Sequence, residues 1–379
     1  MAGLVSQRLA QDHLATVPAQ ADDNLEHKIR ARIEKCWPKY YPSLATRPAP
    51  EIVRHRTVER GFSVMFEYEL KFGRPRSEFV MVKVRRDSKF GAYLPEDVTQ
   101  APQLLRLEFD ELSRAERYFE RRANGLRVVR ALDHCEELNA VVIEKASGTD
   151  LGVLARTNEE EALAAFRRCG QWLRAFHEKI HTARPRVWTE GEFEARLNKR
   201  REKLLALGVA DRHLDPLLRE AVRLARSCRQ REVPYSLLHG DYKLRHIWAG
   251  PDSIQVFDFG NVHSGPCYVD VAAFLVELSV LKLGHPWFDT ERGRRYSETF
   301  LRGYFPGQPP QLLGLFTVEA LMKKWMRRRR TWSRTTFAST LQTCVRRIGA
   351  KSLVERWYLD RWFCARIRES LEMVVHASR

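Results

Sequence analysis

Polar and apolar positions alternate with a period of two through the first third of the chain. The stretch RHRTVERGFSVMFEYELKF, a turn at GRPRS, and then EFVMVKV predict a run of strands over Glu51–Val84. From Leu104 the spacing changes to threes and fours, and LLRLEFDELSRAERYFERRA predicts one long helix. Two short apolar runs follow, LRVVRAL and NAVVIEKA, which predict strands ending at Ser147-Gly148. Beyond that glycine helical patterns dominate, as in NEEEALAAFRRCGQWLRAFHEKI and DPLLREAVRLARSCRQ. Only two strand-and-loop units interrupt them. The expectation is an α+β chain: a polar extension with a short helix over 1–45, a small antiparallel-sheet lobe with one helix over 46–146, and a larger, mainly helical lobe over 147–379.

Composition narrows the class. A length of 379 residues suits two lobes, and 44% hydrophobic residues can fill their cores. The most apolar stretch, Val271–Leu283, carries Glu277 and Lys282 and is too short for a bilayer span. The N-terminal residues lack the apolar core of a secretory signal, and the seven cysteines stand singly, so a reducing, cytoplasmic setting without disulfides is expected. The formal charge of +17 calls for anionic partners. Its densest patch is KKWMRRRRTWSR, Lys323–Arg334.

The chemistry gathers in two short segments, LLHGDYKLRHIWAG and IQVFDFGNVHSGPCYVD. Asp241 and Asp258 each follow a short apolar strand, so two carboxylates can emerge at neighbouring strand ends. Phosphoryl transfer needs such a pair, one to accept a hydroxyl proton and one to hold a metal. Lys243 could reach the transferring phosphate from the same loop.

These residues carry a resemblance. His239-Gly240-Asp241, Asp258-Phe259-Gly260 and Gly265-Pro266 with Asp270-Val271-Ala272 look like the aminoglycoside phosphotransferase and choline kinase-like family, within the protein-kinase-like superfamily. The resemblance spans about residues 50–300. It implies a bilobal protein-kinase-like fold, ATP and Mg²⁺ as cofactors, Asp241 as catalytic base, Asp258 as metal ligand and Asp270 as a brace for the loop.

The first lobe offers matching parts. Lys83 shares a strand face with Phe79 and Met81, where a lysine needs a carboxylate or a ligand. In the next helix Leu105, Phe109, Leu112, Glu116 and Phe119 form one stripe, so Glu116 is the expected partner, with Glu111 and Glu120 as alternatives. Such an ion pair is what kinases use to hold the α- and β-phosphates. Gly61, the single glycine of VERGFSV, is the candidate for the loop over the phosphates, and equally a plain hairpin glycine. VVIEKASG, with Glu144, would be the hinge beside the adenine.

His246 departs from the family, whose loop carries asparagine five residues after the base. A histidine at the corresponding place makes the loop similar to that of lipopolysaccharide core heptose kinases. Imidazole suits metals softer than Mg²⁺. His246 therefore stands as a ligand for Mn²⁺, a donor to phosphate, or a packed loop histidine beside a one-metal site. A rival pattern, His177-Glu178-Lys179-Ile180-His181, fits a helical zinc motif but has no third ligand at a recognisable spacing.

The C-terminal LMKKWMRRRRTW and LVERWYLDRWFCARI interleave basic and aromatic residues. They fit an interfacial helix on anionic lipid, a nucleic-acid face, or a core of tryptophans with arginines outside. The expected function is ATP-dependent transfer of the γ-phosphate to a hydroxyl of a small molecule or sugar, free or on a glycolipid or surface polysaccharide. Peripheral contact with the membrane inner face would accompany the glycolipid case. The alternatives are a nucleotide-sensing pseudokinase or a nucleic-acid-binding protein on a kinase-like fold.

Overall fold

A computed structural model describes residues 19–60, 63–73, 77–85, 101–122, 124–228, 232–281, 289–331 and 351–376. They divide into two compact units, one within Met1–Glu116 and Val129–Ala146, the other within Arg117–Val128 and Ser147–Arg379.

The first unit is built on an antiparallel sheet. Strands β1 (Glu51–Arg60), β2 (Ser63–Lys71), β3 (Ser77–Arg85), β5 (Ala131–Cys135) and β6 (Ala140–Glu144) lie in the order β1-β2-β3-β6-β5. Alternation decides which side chains face inward. On β2 Val64, Phe66, Tyr68 and Leu70 are buried, and on β3 Val80, Val82 and Val84. Helix α1 (Ala19–Tyr40) closes that face with Ile29, Ile33, Trp37 and Tyr40, each worth about 1.5–3 kcal/mol when fully buried. The described part of the expected N-terminal extension is thus integral to this core. Asp133 on β5 fixes the helix, accepting from Arg32 Nε at 2.8 Å and from the Tyr40 hydroxyl at 3.0 Å.

Helix α2 (Ala101–Glu120) follows the sheet's first three strands. Its buried face carries Leu105, Glu108, Glu111, Leu112, Ala115 and Phe119. Expected stripe and observed face share Leu105, Leu112 and Phe119. They differ at the intervening positions, because steps of three and four can be taken in either order along a helix.

The second unit holds two small sheets among helices. One has the order β4-β11-β10-β7, from Leu126–Val128, Ile254–Val256, Ile247–Ala249 and Thr149–Asp150. The other runs β12-β9-β8, from His263–Pro266, Glu232–Leu238 and Arg184–Val187. Around them stand α3 (Leu151–Thr157), α4 (Glu159–Ala175), α5 (Glu190–Ala206), α6 (Asp211–Ser227), α7 (Tyr268–Ser279), α8 (Thr290–Tyr304), α9 (Leu312–Thr331) and α10 (Lys351–His376). Trp172 of α4 is buried and stacks on Phe176 and Tyr242 at 5.4 and 5.5 Å between ring centroids. Tyr242 belongs to the His-Gly-Asp loop, so that loop rests on an aromatic floor, with its hydroxyl donating to the Cys169 carbonyl.

The C-terminal tryptophans divide. Trp325 is buried, stacks on Phe363 and donates to Asp360 at 2.9 Å, whereas Trp357 is 59% exposed beneath Arg361. Arg329 of the basic run is itself buried, paired with Asp360. Trp332 lies outside the described residues. No described helix is long and apolar enough to cross a membrane, and the six described cysteines are unbridged.

Candidate active site

Strand β9 delivers the His-Gly-Asp loop, and backbone geometry shapes it. Gly240 has φ +75°, and a Cβ there would lie 2.0 Å from the Asn261 carbonyl oxygen, so no other residue fits. Asp270, at the start of α7, accepts from the backbone amides of His239 at 2.7 Å and Gly240 at 3.0 Å. His177 Nε2 reaches the same carboxylate at 3.2 Å, and its Nδ1 lies 2.9 Å from the Tyr304 hydroxyl. Burial would raise the Asp270 carboxyl, but His177 and the loop amides outweigh it and hold it below the usual aspartate value. Both nitrogens of His177 are engaged in this brace. The zinc pattern at His177–His181 is therefore a structural turn, distorted to a π-helix over Phe176–Ile180. His239 is buried against Trp172, Tyr242 and Phe259, and burial keeps its imidazole neutral by lowering its pKa.

Asp241, His246 and Asp258 come together. Among the described residues they form a group whose candidate ligand atoms all lie within 4.8 Å of one another. Asp258 adopts φ +68°, a left-handed conformation that aspartate tolerates better than most residues and that marks functional turns. His246 Nε2 lies 3.1 Å from Asp258 Oδ2, and its Nδ1 lies 3.1 Å from the Asp241 carbonyl and 3.7 Å from Asp241 Oδ2. A proton on Nδ1 satisfies the carbonyl, which leaves the Nε2 lone pair facing the Asp258 carboxylate. Arg245 Nε also donates to Nε2, at 3.3 Å. Burial pushes the His246 pKa well below its ordinary value and favours the neutral ring. A lone pair and two carboxylates converging on one place is a donor set that fits a divalent cation. Lys243 pairs with Asp241, and burial lowers its ammonium pKa despite that partner.

In the first unit Lys83 leaves β3 on the face away from α1. It lies opposite Met65 of β2 and Val141 of β6 in the strand register. Its ammonium meets both oxygens of Glu108, at 2.8 and 2.9 Å, with the carboxylate nearly buried. Glu116 is not the partner, and neither is Glu111 or Glu120. Glu116 instead accepts from the Ala131 amide at 3.0 Å and lies 3.8 Å from Arg130 Nε, because the buried face of α2 is shifted by one position. Glu108 was missed for that reason. A glutamate two turns before the expected one, between Leu105 and Leu112, was the available signal. Glu144 ends β6, its amide donating to the Arg130 carbonyl, and burial raises its carboxyl pKa. Gly61 lies outside the described residues.

An antiparallel-sheet unit and a helical unit, with a strand lysine paired to a helix glutamate in the first and a loop aspartate within a metal-fit triad in the second, are the parts expected of a phosphotransferase. The chain belongs to the phosphotransferase enzyme family, whose model matches residues 86–315. Its fold is similar to a putative aminoglycoside phosphotransferase from Ralstonia eutropha, at 10% identity and a TM-score of 0.52, covering 88% of this chain and 98% of that one. It is likewise similar to aminoglycoside phosphotransferase APH(4)-Ia, at 12% identity and a TM-score of 0.52, covering 93% and 99%. No curated protein sequence matches the chain. The enzyme is a kinase, taking phosphate from ATP to a hydroxyl of a small molecule.

Proposed function

We propose that this kinase phosphorylates a sugar-like hydroxyl, free or carried on a glycolipid or surface polysaccharide, with Asp241 as the base that accepts the hydroxyl proton. The observation that supports phosphotransfer with Asp241 as base is the convergence of Asp241, His246 and Asp258, whose candidate ligand atoms lie within 4.8 Å of one another. Asp258 and His246 would hold Mg²⁺ or Mn²⁺, which when bound neutralises charge on the phosphates. Lys243, already against Asp241, steadies the transferring phosphoryl group and keeps the carboxylate oriented. Lys83, held by Glu108, steadies the nucleotide phosphates. Glu144, at the end of β6, marks the backbone expected beside the adenine.

The test is ADP release with a panel of sugars, run beside Asp241→Asn. The substitution keeps size and removes the base. Turnover should fall by about 10²–10⁴-fold while nucleotide binding persists, the range that general-base loss produces. A variant as active as the wild type would remove Asp241 from the chemistry.

A further inference from the structure

We propose that Arg245 is an exchangeable cation of the site: its guanidinium donates to His246 Nε2 until a divalent metal takes that nitrogen, and then binds the phosphates of the nucleotide. The inference deepens the proposed function and rests on His246 and Asp258 being the metal ligands.

The local fold sets the two side chains against each other. Leu244–His246 is a single 3₁₀ turn, with Leu244 and His246 buried and Arg245 exposed between them. Exposed as it is, Arg245 turns back on the loop, and its Nε donates to His246 Nε2 at 3.3 Å. Among the described residues that is its one hydrogen bond, and it makes no ion pair. A guanidinium gains most from a carboxylate or a phosphate, which it grips with two parallel hydrogen bonds. Asp241 of the same loop is already paired with Lys243, and Arg245 rests instead on a ring nitrogen.

The geometry of the triad gives the reason. With the Nδ1 proton directed to the Asp241 carbonyl, the Nε2 lone pair faces Asp258 Oδ2 at 3.1 Å. Two acceptors so close repel each other unless a cation lies against them. Arg245 supplies that positive charge. A metal held by the same nitrogen and carboxylate would supply it as well, but one lone pair cannot serve both. Metal binding therefore releases the Arg245 Nε.

The released guanidinium stays at the site, because Arg245 adjoins His246 within the same tight turn. The anions that then arrive beside it are the phosphates that the metal carries. Their oxygens match the donor fork of arginine, which a neutral ring nitrogen does not.

Mn²⁺ alone is titrated calorimetrically into the full chain, and a non-hydrolysable ATP analogue is then titrated at saturating Mn²⁺. Arg245→Met should bind Mn²⁺ about tenfold tighter and the analogue about tenfold more weakly, one charged hydrogen bond being removed from each side of the exchange. Opposite signs are the signature, since a purely structural arginine would move both affinities the same way or neither. In a His246→Ala background Arg245→Met should give no gain in Mn²⁺ affinity, because the contested lone pair is gone. A gain that persists there is plain charge repulsion and overturns the proposal. Unchanged or weaker Mn²⁺ binding in Arg245→Met overturns it too, as does an unchanged affinity for the analogue. If the wild type binds Mn²⁺ in such a case, the role of Arg245 alone falls. If neither the wild type nor Arg245→Met binds Mn²⁺, the metal site as drawn falls with it.

Discussion

His246 Nε2 lies 3.1 Å from Asp258 Oδ2, with its Nδ1 turned to the Asp241 carbonyl. One imidazole thereby joins the two loops that carry the acids. His246→Asn replaces nitrogen with an oxygen donor. It should shift the metal preference of ATP turnover from Mn²⁺ toward Mg²⁺, whereas His246→Ala should lower activity with either metal by about 10–100-fold, as loss of a ligand or its support does. Rates measured across a metal series check both. Unchanged metal preference in His246→Asn would remove the imidazole from the metal site.

Lys83 and Glu108 give a second contrast. Glu108→Gln removes the carboxylate that faces the ammonium and should raise KM for ATP by about 10–100-fold, the worth of a charged hydrogen bond. Glu116→Gln should leave KM for ATP near the wild-type value and act on stability, through Ala131 and Arg130. Steady-state kinetics on the two variants separates the pair. The reverse result would restore Glu116 as the partner.

Gly240 is fixed by a positive φ and by the Asn261 carbonyl where a Cβ would stand. Gly240→Ala should destabilise the second unit by at least about 2 kcal/mol, combining left-handed strain with a backbone clash. Chemical denaturation read by tryptophan fluorescence measures it, because Trp172 lies under the same loop.

Acid sensitivity of the first unit should trace to Asp133. Burial raises its carboxyl pKa, but Arg32 and Tyr40 outweigh burial and hold it below the ordinary aspartate value. A depressed folded pKa means that the contribution is complete above the unfolded value, about 3.9, and is lost as pH falls through the folded one. Asp133→Asn should therefore cost a constant amount of stability above about pH 4 and progressively less below it. Denaturation midpoints of both proteins across pH 2–7 show whether the curves converge.

Much of this site was legible in the chain, and the illegible parts have a common cause. Lys83 lies within a strand, Asp241 and Asp258 follow short strands closely, and His246 immediately precedes one, so local alternation points to all four. Glu108 was hidden because steps of three and four along α2 can be phased in two ways, and only packing selects one. Arg329 was read as part of a basic run. Its partner Asp360 comes from a distant segment, so no local spacing could show that its side chain is buried.

We propose that ATP is bound through a metal held by Asp258 and His246, and that Lys83 steadies its phosphates. Thermal unfolding with ATP, in the presence of Mg²⁺, of Mn²⁺ and of no metal, tests it most directly, beside Lys83→Ala and Asp258→Ala. A ligand at a hundred times its Kd stabilises the native state by about 2.7 kcal/mol. A metal-dependent rise in Tm that both variants lose is the predicted result. No rise with either metal would contradict the account.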